Sequence, residues 1–232
     1  MTQETGAAGT GHLIAASVGE TTGPCVDEAS HLLEETGYTV RAFGIEEGAG
    51  AEMERLIAAG AVAGVLDLTL ADWTDAILGG VLAAGPGRLE AAARSGTPAV
   101  LAPGGLDSIH FGPRETLPPQ YGRRKLYAPT PDRTLIRTDV SENARLGRLL
   151  AETINQSVGP VALCLPIRGF SSLSAPGQPF RWMEADMAFV GNLTTHLRRD
   201  IPFYDVPADL NDPAFARACV ETLRALLEEI GR

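Results

Sequence analysis

The feature that most constrains the fold is a regular alternation of short apolar runs with amphipathic stretches. Leu13–Val18 is almost wholly apolar; a Gly/Thr loop at 19–23 follows it, and then a helical pattern over 26–37 with Ala29, Leu32 and Leu33 on one face. Residues 39–45 read as a second strand, 51–59 as a helix closed by Gly60, and 62–69 as a third strand ending Asp67-Leu68-Thr69. Near-continuous apolar runs of this kind suit parallel strands covered on both faces. Asp72 is placed to cap a helix reaching Leu82, a further helix covers 88–94, and 98–102 is a fourth strand feeding Pro103-Gly104-Gly105. From 106 to 120 regular patterning stops, and an irregular connection of that length points to function. A short strand at 125–128, a helix at 140–155 begun by Asp139 or Ser141, a strand at 161–167, a helix at 184–197, the strand Phe203–Val206 and a helix at 214–230 complete the chain. The alternation predicts a three-layer, Rossmann-like α/β fold: a mostly parallel sheet with helices on both faces. No internal repeat or linker divides residues 12–232, which read as one domain behind a polar leader at 1–11 that reads as disordered.

Charge narrows the partners. A net charge of −10 argues against nucleic-acid backbones and anionic membranes, and leaves room for an anion in a locally positive pocket. No apolar run approaches the roughly 18 residues of a membrane span, and 1–11 lacks the pattern of a secretory signal. The three cysteines, Cys25, Cys164 and Cys219, have no paired spacing, which fits a reduced, cytoplasmic setting and no metal centre.

In parallel sheets ligands sit at the carboxyl ends of strands. Five clusters fall there: Gly19 with Thr21, Thr22 and Gly23; Asp67 with Thr69 and Asp72; Gly104, Gly105 and Asp107; Arg168, Gly169, Ser171 and Ser172; and Asp209, Asn211 and Asp212. The first precedes a helix whose Pro24 suits the opening turn, with Thr22 or Gly23 as N-cap, so its free N–H groups can seat an anion. Arg168 can clamp a phosphate or carboxylate, with Ser171 and Ser172 as added donors, or form a surface ion pair. Asp67 can orient a ligand or act as a base, or cap its loop. His110, near Asp107, makes an acid/base candidate oriented by Asp107 or Asp209, or a satisfied structural histidine. Arg114 can help bind an anion or face solvent. Cys25, at a helix start, has a nucleophile's position but no base in view. Asp212 before Pro213 reads as an N-cap.

Several long phrases carry a family resemblance: Thr21-Thr22-Gly23-Pro24-Cys25-Val26; Gly64 to Thr69; Gly79-Gly80-Val81-Leu82-Ala83-Ala84-Gly85-Pro86-Gly87-Arg88-Leu89-Glu90-Ala91-Ala92; Pro103 to Asp107 with Phe111-Gly112; Leu165 to Ser171; and Asn211-Asp212-Pro213-Ala214-Phe215-Ala216. Together they resemble the C-terminal half of the Tm-1-like (UPF0261) family from about His12 onward. The chain departs from the family's pattern at His110 and Asp209, where asparagine and histidine are expected, and near Pro129, Ser174 and Trp182. The resemblance implies ATP or another nucleotide, with Mg²⁺, as ligand. It also implies a companion: a separately encoded N-terminal half or a second copy. Three functions stay open: binding of a nucleotide or other phosphate- or carboxylate-bearing molecule within such an assembly; a hydrolase or lyase using His110; and a non-catalytic subunit completing a partner's site.

Overall fold

The computed structural model describes residues 12–45 and 48–231. The leader expected at 1–11 lies outside the described residues. Among the described residues, nine strands and seven α-helices follow in chain order. They are β1 (Leu13–Val18), α1 (Gly23–Glu34), β2 (Thr39–Gly44), α2 (Ala49–Ala58), β3 (Gly64–Asp67), α3 (Ala71–Leu78), α4 (Glu90–Ser95) and β4 (Ala99–Leu101). Then come β5 (Ser108–Phe111), β6 (Leu126–Thr130), β7 (Arg133–Arg137), α5 (Val140–Ile154), β8 (Val161–Pro166), α6 (Met183–His196), β9 (Phe203–Val206) and α7 (Pro213–Ile230).

Six strands form one fully parallel sheet in the order β2-β1-β3-β4-β8-β9. Side-chain alternation divides its two faces. Ala15, Val65, Ala99, Leu101 and Leu163 pack against α2, α3, α5 and α6, while Ile14, Leu66, Val100 and Cys164 pack against α1 and α7. The result is the three-layer α/β architecture expected from the alternation. The chain leaves β1 outward to β2 and returns to β3, so strand order reverses between β1 and β3. Ligand crevices form at that place in open parallel sheets.

The irregular stretch expected at 106–120 is a correction. It contains β5, which joins β7 and β6 in a small antiparallel sheet of order β5-β7-β6. β7 escaped notice because it ends in Arg137, and β5 because it carries His110; both side chains are buried against aspartate partners. Helix α3 stops at Leu78 rather than Leu82, because Gly79 takes the left-handed conformation at φ 83°. Asp72 does not cap it: Leu70 holds the N-cap position, and Asp72 lies inside the first turn. Asp139 caps α5 in a full capping box with Glu142, and Asp212 caps α7 ahead of Pro213.

Candidate functional site

The five clusters read from sequence do gather at the carboxyl edge, and hydrogen bonds knit them together. Thr22 occupies the N-cap position of α1, yet its hydroxyl turns inward: it accepts from Gly19 N–H at 2.9 Å and meets Thr69 Oγ1 at 2.6 Å. Gly104 accepts from Leu70 N–H at 2.8 Å, and Gly105 N–H donates to Phe170 at 2.8 Å. Thr21 accepts from Ser172 N–H at 3.1 Å and from Asn211 Nδ2 at 3.0 Å. The loops after β1, β3, β4, β8 and β9 therefore form one interlocked rim. Several N–H groups expected to receive an anion are spent on the chain itself: Gly19 and Thr22 bond each other, and Cys25 and Val26 bond the Thr22 carbonyl. Burial also pushes the Cys25 thiol up to about 12, so the lowering expected from the helix dipole does not prevail.

Asp67 belongs to a buried ion cluster. Ser17 Oγ donates to it at 2.7 Å, and Arg88 grips both its oxygens, with Nη2 at 2.7 Å from Oδ1. The same guanidinium donates through Nε to Asp72 at 2.9 Å and through Nη2 to the Thr69 carbonyl at 3.1 Å. Glu54 approaches Arg88 at 3.5 Å while accepting from Leu89 and Ala91 N–H at 2.7 and 2.9 Å. Burial pushes the Glu54 and Asp72 carboxyls up, and Arg88 offsets the push. One arginine thus anchors the segment after α3 to β3, α2 and α3.

A second buried cluster centres on Arg137. Its guanidinium donates to the carbonyl of Phe180 at 2.7 Å and to Thr138 Oγ1 at 2.8 Å, and it pairs with Asp186. Asp107 is fully buried beside it and accepts from Ser171 Oγ at 2.7 Å. The Ser171 hydroxyl, in turn, accepts from Leu173 N–H at 3.1 Å, so Ser171 shapes its loop and offers no free donor. Burial holds the Asp186 carboxyl up at about 6; Arg137 opposes this and Asp107 adds to it. The folded state therefore favours protonated Asp186, a contribution complete below about pH 4 and lost as pH rises through about 6. We expect Asp186→Asn, which does not titrate, to gain steadily on the wild type in urea midpoint between pH 4 and 6 and to hold a constant offset above. A falling difference over that range would contradict this sign.

His110 is buried in β5 and takes Asp75 as its partner. Nδ1 lies 3.3 Å from Asp75 Oδ2, and the His110 backbone N–H donates to Asp75 Oδ1 at 3.0 Å. Among the described residues no hydrogen bond or ion pair joins His110 to Asp107 or Asp209, which corrects the expected orienting partners. Asp209 instead accepts from Asn211 N–H at 3.0 Å within its own loop. We expect His110→Ala to cost about 1–3 kcal/mol in urea unfolding and to leave anion affinity unchanged. Lost affinity with full stability would restore an acid/base role.

Cations crowd the rim from outside. Residues 112–137, which build most of the small sheet, hold six of the 19 Lys and Arg but only two of the 29 Asp and Glu. Arg133 pairs with Glu20 of the 19–23 loop at 3.0 Å, and Lys125 Nζ donates to the Arg181 carbonyl at 3.0 Å. Arg181 Nη1 donates to the Arg168 carbonyl at 2.7 Å. The Arg168 side chain is exposed, and among the described residues no carboxylate pairs with it. Gly169, at φ 144°, turns the chain there, and a Cβ on it would meet the Ser174 carbonyl at 2.6 Å.

An open cavity of about 1060 Å³ lies between α2 and the segment from Val81 to Ser95, with Ile45 from the end of β2 and Asp72 from α3 also in its wall. Gly48, Gly50, Arg55, Asp72, Val81 and Arg88 contribute to its wall. Of the five clusters, only Asp72 lines it. Among the described residues, no cluster of three or more His, Cys, Asp or Glu is arranged to hold a metal, and no helix is long and apolar enough to cross a membrane.

Comparison with known proteins decides the family. Residues 11–227 match the model described as the uncharacterised protein family (UPF0261) C-terminal domain. The chain belongs to the UPF0261 family. A UPF0261 protein of Clostridium tetani is 38% identical over 218 residues, covering 94% of this chain and 54% of that protein. The ToMV resistance protein Tm-1(GCR237) of Solanum lycopersicum is 34% identical over 203 residues, covering 87% of the chain and 27% of that protein. A UPF0261 protein of Rhizobium meliloti is 36% identical over 205 residues, covering 88% and 51%. The chain thus spans about half the length of the bacterial UPF0261 proteins it matches. The UPF0261 phrase from Gly79 to Ala92 is the segment that delivers Arg88 to its three carboxylates and walls the cavity. Sequence reading quoted that phrase but passed over Arg88, Asp75, Arg133 and Arg137 as site residues. An arginine inside a phrase otherwise built of Gly, Ala, Pro and Leu was the available signal for the first.

Proposed function

We propose that this domain binds a small-molecule anion, a phosphate- or carboxylate-bearing ligand, at the carboxyl edge of its sheet. One observation carries the reading: in a chain of net charge −10, Arg168 is exposed with no carboxylate partner among the described residues, Arg181 donates to its carbonyl and Lys125 donates to that of Arg181. Arg168 supplies a bidentate clamp, and the Thr21 and Ser172 hydroxyls supply neutral donors. Ser171 acts as a positioning residue, because its hydroxyl donates to Asp107 Oδ2 and accepts from Leu173 N–H, while Asp107 Oδ1 is buried with no hydrogen-bond partner among the described residues. Gly104 and Gly105 set the turn rather than an open cradle: a Cβ on either would meet neighbouring chain within 3.1 Å. The reading therefore commits to the anion, and nucleotides with Mg²⁺ enter as members of a ligand panel.

The test is a thermal shift of the purified chain against nucleotides, phosphorylated metabolites and keto acids, with and without Mg²⁺. A ligand that binds only the native state raises stability as RT ln(1 + [L]/Kd). The expected result is stabilisation by at least one anion that Arg168→Ala abolishes. An unchanged shift in Arg168→Ala overturns the assignment. The hydrolase or lyase reading loses its support with His110 buried against Asp75.

A second unit over the cavity is the reading favoured by size: the chain spans half of its bacterial relatives, and Val81, 62% exposed, presents apolar surface at the cavity wall. Light scattering on the chain alone, and with the N-terminal portion of a relative added, tests it. A monomer in both arms contradicts it.

A further inference from the structure

We propose that β9 is a self-pairing edge, along which a second copy of this chain extends the six-stranded sheet across a two-fold axis. β9 is the last strand of the sheet, so only one of its sides is occupied. Leu163 N–H donates to the Pro202 carbonyl at 3.0 Å, and Ile167 N–H donates to that of Val206 at 3.1 Å. Alternate residues of a strand address opposite neighbours. Positions 202, 204 and 206 therefore face β8, while Phe203 and Asp205 turn their N–H and C=O groups outward. The free ladder stops there: Ile201 N–H is bonded to the Arg198 carbonyl, and Pro207 has no N–H. This edge lies at the far end of the sheet from β2 and α2, where the cavity opens, so the two contacts are separate.

Register and charge select a copy of the same strand as the occupant. Antiparallel strands exchange both bonds at alternate residue pairs. Pairing Phe203 with the partner's Asp205, and Asp205 with the partner's Phe203, uses both outward N–H groups of each edge and places Tyr204 on the axis. A two-fold axis requires such a self-complementary patch. Asp205 is exposed with no cationic partner among the described residues, and Arg199 is exposed there with no carboxylate. Antiparallel pairing carries Asp205 toward the partner's Pro202, the end of the strand that Arg199 precedes. Apolar surface accompanies the ladder: Phe203 at 42%, Tyr204 at 49% and Ile167 at 48% are three of the nine large apolar side chains exposed among the described residues. The opposite edge strand, β2, is blunted, because Arg41 pairs with Glu52 and lies over the Phe43 ring at 4.8 Å.

Light scattering over a concentration series up to about 100 μM reads the assembly state. Wild type should form a dimer. Asp205→Pro removes one outward N–H from each copy and leaves the bonds to β8 in place, so it should raise the dimer Kd about ten-fold or more with an unchanged circular dichroism spectrum. Asp205→Lys should give a monomer, because it sets a like charge beside the partner's Arg199. Adding Arg199→Glu to Asp205→Lys should restore the dimer, a rescue that a misfolded variant cannot give. Val81→Lys, at the cavity wall, should leave the dimer intact. A wild type that stays monomeric at every concentration overturns the inference, as does a dimer that both Asp205 variants leave intact. A dimer broken by Val81→Lys and kept in both Asp205 variants would seat the second unit over the cavity and remove this assignment alone.

Discussion

Arg88→Met should lower the free energy of unfolding by about 3–5 kcal/mol, the loss expected when one partner of a buried ion cluster is removed. The guanidinium is buried and is shared by Asp67, Asp72 and Glu54, with its remaining donor on the Thr69 carbonyl. Methionine fills much of the volume but leaves three buried carboxylates facing each other. Two of them, Glu54 and Asp72, are already pushed up by burial, with Arg88 as the offsetting charge. Without it Glu54 and Asp72 rise further, so the folded variant prefers them protonated. Stability gained in that form is present at low pH and lost as pH rises through the raised values. The deficit against wild type should therefore be larger at pH 7 than at pH 5. Urea unfolding at both values checks it; a deficit under about 1 kcal/mol at pH 7 would mean the cluster is not what holds the 79–91 segment.

Gly104→Ala should be the most damaging single methyl group at the carboxyl edge, at about 3 kcal/mol, the upper end for overpacking. A Cβ there would lie 1.9 Å from the Leu68 carbonyl oxygen and 3.1 Å from Thr22 Cγ2. The Leu68 oxygen is backbone and cannot rotate away. Relief requires parting the turn after β4 from the loop after β3, which breaks the bond from Leu70 N–H to the Gly104 carbonyl and strains the Thr22–Thr69 contact. Gly23→Ala is the matched control. Its Cβ would meet nothing within 4 Å, and it opens α1, where alanine is the better helix former. Near-equal urea midpoints for the two variants would contradict the close-packed edge.

What the sequence revealed, and what it hid, follow from how each part is stabilised. The main sheet was legible because apolar strands buried on both faces and amphipathic helices leave periodic traces, as in β3, β8 and α7. The small sheet was not, because β5 and β7 bury His110 and Arg137 by pairing them with Asp75 and Asp186. Such partners lie 35 and 49 positions away, and no local pattern announces them. The same cause separates the site residues. Arg168 and Ser172 stayed at the rim as polar groups on a strand-end loop should, whereas Asp67, Thr69, Thr22 and Ser171 were recruited into internal hydrogen bonds. The residue type announced chemistry in both sets; only the fold decided which polar groups were left for a ligand.

The most direct test of the anion site is calorimetric titration of the best ligand from the panel into wild type, Arg168→Ala and Arg55→Ala. Arg55 lines the large cavity and, like Arg168, is exposed with no carboxylate partner among the described residues, so the two substitutions are matched in charge and exposure. Binding lost in Arg168→Ala and kept in Arg55→Ala is the predicted result. Binding kept in Arg168→Ala and lost in Arg55→Ala would contradict the account and move the ligand from the rim to the cavity.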